Sequence, residues 1–338
     1  MYLSISKKIL AWYTKYQRDL PWRKFTSKKD KYYKVLLSEF MLQQTQVKTA
    51  IPYFNNFYKK INTIDKLAKS SQSKVNKLWQ GLGYYRRAKF LLTTSKIIKN
   101  KFNSNIPQNY NDLVNLPGIG DYTAKAILSI AFDKSEIGID GNVERVASRV
   151  FLSKNKKKIF QNVEKLKVKK NSSFLMQGLM ELGALICKPK KPLCDECCIK
   201  NNCKFFLKNK KVVYQKLHYS KKNKKFIACI YIHKKKILLR HENNLGPLKG
   251  FLNVPLFDNT NINLKKKLNE IFKQNVSYSL IGKMKISISN FNAEIMLIKI
   301  KNLNKINYNF KFYNKDNLKK EFKSSFLDKI LTRVKFKK

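Results

Sequence analysis

The chain is 338 residues long, 43% of them hydrophobic and 12% aromatic, which excludes a disordered chain and allows two or three domains with buried cores. Lys and Arg number 72 against 21 Asp and Glu, and the formal charge of +51 points to a polyanionic partner through counterion release. Part of that excess has the blander origin of an AT-rich coding bias, since Lys, Asn and Ile are inflated throughout. No apolar stretch approaches the roughly eighteen residues of a membrane span, and the start MYLSISKKILAWYTKY lacks a signal-peptide core and cleavage site. The expectation is a bacterial protein of the cytoplasm, associated with the nucleoid and not with a membrane.

From 5 to 205 apolar residues recur at three- and four-residue intervals, with breaks expected at Pro21, Pro52, Gly81, Pro107, Pro117 and Gly138. This predicts an all-α unit. The run KNKKVVYQKLHYSKKNKKF (208–226) reads as an exposed linker or a solvated helix face, with a boundary near 210–225. Beyond it FIACIYI, KILLR, SYSLIGKMKISIS and AEIMLIKI read as strands, while INLKKKLNEIFKQ and FLDKILTRV read as helices. The second half is therefore expected to be a small α+β domain.

LPGIGDYTAKAIL (116–128) places a proline and two glycines, Gly118 and Gly120, ahead of a helix starting near Tyr122, so that free N–H groups at the helix start can face a phosphate. Such a Gly-x-Gly turn is common, and only its neighbours make it a DNA clamp.

Two carboxylates stand in different surroundings. Glu39, in KVLLSEFMLQQTQV (34–47), shares a helical stripe with Val35 and Leu42, an apolar setting that favours its acid form and suits a proton donor. Asp140, in GIDGNVERVASRV (138–150), precedes a helix, where the positive dipole end and free N–H groups favour an anion. The plainer readings are a half-buried structural carboxylate and an ordinary N-cap.

Four of the six cysteines, Cys187, Cys194, Cys197 and Cys203, crowd together with gaps of six, two and five residues, which reads as ligation of a metal or cluster. Tetrahedral zinc is the alternative to an iron-sulfur cluster. Cys198 and Cys229 read as small buried hydrophobes. The intervening KPKKPL (188–193) carries Lys188, Lys190 and Lys191, suited to a DNA backbone.

Together RDLPWR (18–23), SEFMLQQTQV (38–47), QGLGYYRRAK (80–89), LPGIGDYTA, DGNVERV (140–146) and QGLMELGALIC (177–187) resemble, in order, motifs of the endonuclease III superfamily of helix-hairpin-helix glycosylases, and within it the adenine-specific branch. The resemblance covers nearly all of 10–205. It implies an all-α glycosylase region over 1–207, with a six-helix barrel and hairpin at about 24–135. A cluster domain would join the N-terminal helix to about 136–207, followed by a linker at 208–225 and a Nudix-like recognition domain at 226–338. It further implies one 4Fe-4S cluster, double-stranded DNA containing an adenine:8-oxoguanine mismatch as partner, and a monomer.

By the same resemblance Glu39 protonates the flipped adenine and Asp140 stabilises the oxocarbenium ion or bonds to it transiently, with Asn142 positioning water or Asp140. Tyr122 stands where bifunctional relatives carry a Schiff-base lysine, which implies a monofunctional hydrolase; Lys125, one turn on, is the residue that challenges this. Gln44, Leu82 and Tyr84 match positions that probe the opposite strand and wedge into the stack, although Leu82 and Tyr84 also read as core. Arg18, Arg23 and Leu42 match the adenine pocket and its support. A pyrimidine-damage lyase and a catalytically decayed DNA-binding relative are the competing readings, disfavoured by Tyr122 and by the presence of both carboxylates.

GPLKGFLNVP (246–255) looks like a loop of the Nudix-like module, but INLKKKLNEIF lacks the several glutamates needed to hold magnesium, so pyrophosphate hydrolysis is not expected. ISISNFNAEI (286–295) aligns with a guanine-reading loop in which Phe-Ser-His is usual. Here the triplet is Ile288, Ser289 and Asn290, and Ser289 keeps the hydrogen-bonding hydroxyl.

Overall fold

In the computed structural model the described residues are 1–208, 222–241, 251–259, 263–288, 291–306, 309–314, 317–318 and 325–334. The chain divides into two compact units, residues 1–82 with 86–216 and residues 83–85 with 217–338. Ser289, Asn290, most of the stretch read as linker and the start of the 246–255 loop lie outside the described residues.

The described part of the first unit is helical. Its helices are α1 (Tyr2–Tyr16), α2 (Lys28–Leu42), α3 (Val47–Lys60), α4 (Ile64–Ala68), α5 (Gln72–Trp79) and α6 (Arg86–Phe102). They continue with α7 (Tyr110–Val114), α8 (Asp121–Phe132), α9 (Gly141–Val150), α10 (Lys156–Glu164), α11 (Ser172–Glu181) and the short α12 (Lys204–Leu207). Helix α2 runs through the interior, where Leu36, Leu37, Phe40 and Met41 are wholly buried, and it packs against α3, α6 and α8. Ser27 starts it, accepting the Asp30 N–H at 3.1 Å, and Asp30 pairs with Lys34 one turn on.

Pro52 does not break the chain but lies inside α3. The lost N–H bond would have gone to the carbonyl of Lys48, an exposed residue, and burial of Ala50, Phe54 and Phe57 on one stripe outweighs a cost of about 3 kcal/mol. A second core joins α1 to α9, α10 and α11 through Ile5, Ile9, Val143, Val146, Leu175 and Leu179.

Among the described residues the second unit has two sheets. One has the order β5 (Leu256–Asp258), β1 (Lys222–Ile230), β7 (Phe291–Ile300), β6 (Tyr278–Ile288), in which β1 and β7 run parallel with Phe226 opposite Ile295. The other places β3 (Lys236–His241) between β2 (Ile232–His233) and β4 (Leu252–Asn253), with β8 (Lys311–Tyr313) also paired to β3. Strand β1 begins at Lys222, inside the stretch read as linker.

Alternate residues of β1 serve two cores. Ile227 and Cys229 meet α13 (Leu264–Phe272), while Phe226, Ala228 and Ile230 join the core that includes α14 (Ser325–Leu331). A strand buried on both faces is what a parallel pair requires, and it explains the continuous apolar run FIACI. Strands and helices are thus mixed in this unit as expected, with helices contributing to the core on each face.

Candidate functional site

The hairpin places α7 and α8 on either side of a turn that only glycine can make at its centre. Gly118 has φ +84°, and a Cβ there would stand 2.8 Å from both Phe40 and Phe90. The Thr94 hydroxyl donates to the Pro117 carbonyl at 2.7 Å and holds the turn against α6. Helix α8 begins at Asp121, one residue before the expected start, and its N-cap Gly120 supplies no capping side chain. Its first-turn N–H groups therefore have no side-chain cap, an arrangement suited to an anion.

Glu39 is 5% exposed, on the buried stripe of α2 with Val35; Leu42 is half-buried. Burial pushes its carboxyl up to about 7, the charge of Asp140 pushes in the same direction, and a hydrogen bond from the Tyr122 phenol opposes both. The Tyr122 hydroxyl also reaches the Met180 sulfur at 3.8 Å, and burial with the two carboxylates pushes its own ionisation well above the usual range. Residues 101 positions apart in sequence, Glu39 on α2 and Asp140 before α9, are thus brought together.

Asp140 is the N-cap of α9. Its Oδ1 accepts the N–H groups of Asn142 at 2.9 Å and Val143 at 2.7 Å, and its Oδ2 accepts Asn142 Nδ2 at 2.9 Å. Both the plain N-cap role and the anchored carboxylate are realised in one residue. Lys125, the candidate amine nucleophile, is paired with Asp121 at 3.0 Å.

Arg18 and Arg23 converge on Glu181, a 1% exposed carboxylate that the sequence did not single out. Arg18 Nε lies 3.2 Å and Arg23 Nη1 2.5 Å from its Oε1, while Arg23 Nε donates to Gln177 at 2.8 Å. Glu181 and Gln177 lie within QGLMELGALIC but carry no local signal of this role. Arg87 was missed as well: it is buried, and its guanidinium donates to the carbonyls of Phe40 (3.0 Å), Met41 (2.7 Å) and Gln43 and to the Thr45 hydroxyl (3.0 Å). Gln44 is exposed with φ +58°, Tyr84 is 45% exposed with φ +49°, and Leu82 is buried at 6%. Leu82 therefore has the burial of a core residue.

Cys187, Cys194, Cys197 and Cys203 line a single pocket together with Arg149. Burial and the neighbouring thiols push Cys197 up to about 11 and raise Cys194 and Cys203. Among the described residues no three His, Cys, Asp or Glu side chains are spaced for a single metal ion. A donor set of four thiols lining one pocket is of the kind that an iron-sulfur cluster takes.

Arg149 donates to Cys187 Sγ at 3.2 Å and to the carbonyls of Lys188 and Pro189 at 2.8 Å each, and Arg145 Nε donates to the Cys187 carbonyl at 2.9 Å. Lys188, Lys190 and Lys191 project from this loop into solvent. Cys229 is buried in the second unit and Cys198 is half-buried beside the loop.

These elements define a helix-hairpin-helix DNA glycosylase, and residues 37–169 match the HhH-GPD superfamily of base excision DNA repair proteins. An adenine DNA glycosylase of Buchnera aphidicola subsp. Baizongia pistaciae is 38% identical over 295 residues, covering 80% of this chain and 82% of that one. The human adenine DNA glycosylase is 36% identical over 208 residues, 58% of this chain and 38% of its own length. The chain belongs to the adenine DNA glycosylase family, as its motifs imply. Among solved structures a thermostable thymine-DNA glycosylase aligns with TM-score 0.55 and 27% identity over 60% of this chain and 95% of its own. An endonuclease III–DNA complex at 19% identity and TM-score 0.51, covering 61% and 94%, shares the fold.

Proposed function

We propose that this protein excises adenine mispaired with 8-oxoguanine, or with guanine, by acid-assisted hydrolysis of the N-glycosidic bond, leaving an abasic site. The observation that carries this reading is the buried Glu39 carboxyl, raised to about 7 beside Asp140. A neutral acid at physiological pH can give its proton to a ring nitrogen of an extruded adenine, which turns the base into a better leaving group. As the bond to C1′ breaks, positive charge develops on the sugar, and the Asp140 carboxylate shields it or bonds to it transiently. Water then supplies hydroxide to C1′, and its remaining proton restores Glu39. Asn142 Nδ2, bonded to Asp140 Oδ2 at 2.9 Å, holds that carboxylate in orientation.

The same reading is monofunctional. A phenol at position 122 forms no Schiff base, and the Lys125 amine is engaged by Asp121 at 3.0 Å. Arg18 and Arg23, braced on Glu181, support the adenine pocket, while Gln44, Leu82 and Tyr84 probe the opposite strand, and the C-terminal unit reads the oxidised guanine. Cys187, Cys194, Cys197 and Cys203 would hold one 4Fe-4S cluster, which the shared cavity supports. When bound, such a cluster stiffens the loop that presents Lys188, Lys190 and Lys191 to the DNA backbone. The partner is duplex DNA and the protein acts as a monomer.

Release of free adenine from duplexes with adenine opposite 8-oxoguanine, guanine and thymine tests the proposal. The expected order of rates is 8-oxoguanine first and thymine last, with Glu39→Gln inactive on all. Equal cleavage by Glu39→Gln removes the assigned proton donor. Tight mismatch binding without released adenine removes the enzymatic reading, and protein trapped on DNA by borohydride removes the monofunctional one.

A further inference from the structure

The last carbonyls of a helix have no partner within it. At the end of α2, the helix that carries Glu39, the carbonyls of Phe40, Met41 and Gln43 are all taken by Nη1 of Arg87, and its Nη2 donates to the Thr45 hydroxyl at 3.0 Å. Phe40 and Met41 are wholly buried, so without the guanidinium their carbonyls would face a dry interior. The positive charge also complements the negative end of the helix dipole. Arg87 lies over the ring of Trp79 at 5.4 Å, and Trp79 is itself fully buried, which fixes the guanidinium plane from below.

Between Gln43 and Thr45, both gripped by Arg87, sits Gln44 with φ +58°, a conformation that a non-glycine residue keeps only when its neighbours enforce it. From the other side the Gln43 amide donates to the Gly118 carbonyl at 3.1 Å and fastens the same turn to the hairpin. Arg87 itself stands in the first turn of α6, directly after the segment that holds Leu82 and Tyr84. One side chain thus meets the acid-bearing helix and the Gln44 turn while following the Leu82–Tyr84 segment.

We propose that Arg87 is a positioning residue for base extrusion: its forked guanidinium keeps Glu39 and the opposite-strand probe Gln44 in one register. The inference rests on the function proposed above, in which an adenine is turned out toward Glu39. Lysine cannot replace it, because a single ammonium lacks the planar fork that serves several fixed acceptors.

The test uses the full-length protein and a duplex with 2-aminopurine in place of the target adenine opposite 8-oxoguanine, whose fluorescence rises on unstacking. Arg87→Lys is expected to bind undamaged duplex within about twofold of wild type. Its fluorescence amplitude should fall by about fivefold or more, and its single-turnover adenine release on the ordinary substrate by about tenfold or more, the scale of a small misplacement of reacting groups. Thr45→Val, which removes only the hydroxyl partner at a half-buried residue, should lower both by about threefold. Amplitude and rate within twofold of wild type in Arg87→Lys overturn the proposal. Should that variant not fold, an unchanged amplitude in Thr45→Val overturns it instead. Absence of adenine release by wild type would strike the functional reading, whereas normal wild-type release with an unaffected Arg87→Lys strikes this inference alone.

Discussion

Gly183 lies so close to Asn142 that a Cβ on the glycine would stand 2.6 Å from the Cβ of Asn142. The contact brings the π-helical turn after α11 (Leu182–Ile186) against the start of α9. Arg145 Nη2 seals it by donating to both the Gly183 carbonyl and Asn142 Oδ1 at 2.7 Å. Since Asn142 in turn holds Asp140, Gly183→Ala should push the carboxylate off its place. Overpacking of this kind costs about 1–3 kcal/mol, and a displaced charge costs far more in rate than in stability. The expected result is a modest drop in melting temperature with a loss of about tenfold or more in single-turnover excision. A variant as fast as wild type would show that the start of α9 can shift without moving Asp140.

The raised Glu39 carboxyl makes activity and stability fall together as pH rises. In the proposed mechanism the protonated form is the donor, so excision should be fastest below pH 7 and decline as pH rises through about 7. The folded state binds this proton more tightly than the unfolded chain, in which the carboxyl keeps its ordinary value of 4.5. The stability contribution is therefore complete below about 4.5 and is lost as pH rises to about 7. Above that, the buried anion costs roughly 3 kcal/mol relative to its acid. Glu39→Gln should be inactive yet more stable than wild type at pH 8, with the advantage shrinking near pH 5. Urea unfolding at the two pH values measures this, and a pH-independent difference would contradict it.

What was legible in the sequence is what local chemistry encodes. The stripe around Glu39, the N-cap position of Asp140, the glycines of the hairpin and the crowded cysteines all announce themselves within seventeen residues or fewer, and each lies where the pattern placed it. Arg87, Glu181 and Gln43 were not legible, because their partners lie between 42 and 163 residues away and a lone Arg, Glu or Gln has no periodic signature. Strands β2, β4, β5 and β8 span two or three residues each, too few to display an alternation. Pro52 misled for the converse reason, since a local breaker was overruled by tertiary burial of its helix.

Glu181 should behave as a structural keystone. Its 1% exposed carboxylate is shared by the Arg18 and Arg23 guanidiniums, so Glu181→Ala leaves two like charges facing each other with no counter-ion from that position. Breaking a buried pair by removing one partner costs about 3–5 kcal/mol, and that is the loss expected by urea unfolding. The Arg23→Met, Glu181→Leu double variant should recover part of it, because the more buried guanidinium is removed with its partner and only Arg18, 32% exposed, is left without its counter-ion. A double variant as unstable as Glu181→Ala would mean that Arg23 contributes through the Tyr13 ring, 5.2 Å away, rather than through the ion pair.

The cysteine loop offers a separation of cofactor from DNA binding. Purified protein is expected to carry about four irons per chain with matching labile sulfide, and Cys203→Ser to lose them; one zinc per chain instead would identify the alternative ligand. In the proposed function the exposed lysines of the same loop act by charge alone, while Arg149 holds the loop backbone at Lys188 and Pro189. Replacing Lys188, Lys190 and Lys191 together by Ala should leave the iron content intact. The slope of log affinity against log salt should fall by about one for each phosphate that is no longer neutralised, so by up to about three. Single-turnover excision at saturating enzyme should stay near wild type, because in the proposed function these side chains only hold the duplex. An unchanged salt slope would place the DNA backbone elsewhere, whereas loss of iron in the triple alanine variant would show that the lysine side chains, and not only the backbone gripped by Arg149, shape the cavity around the thiols.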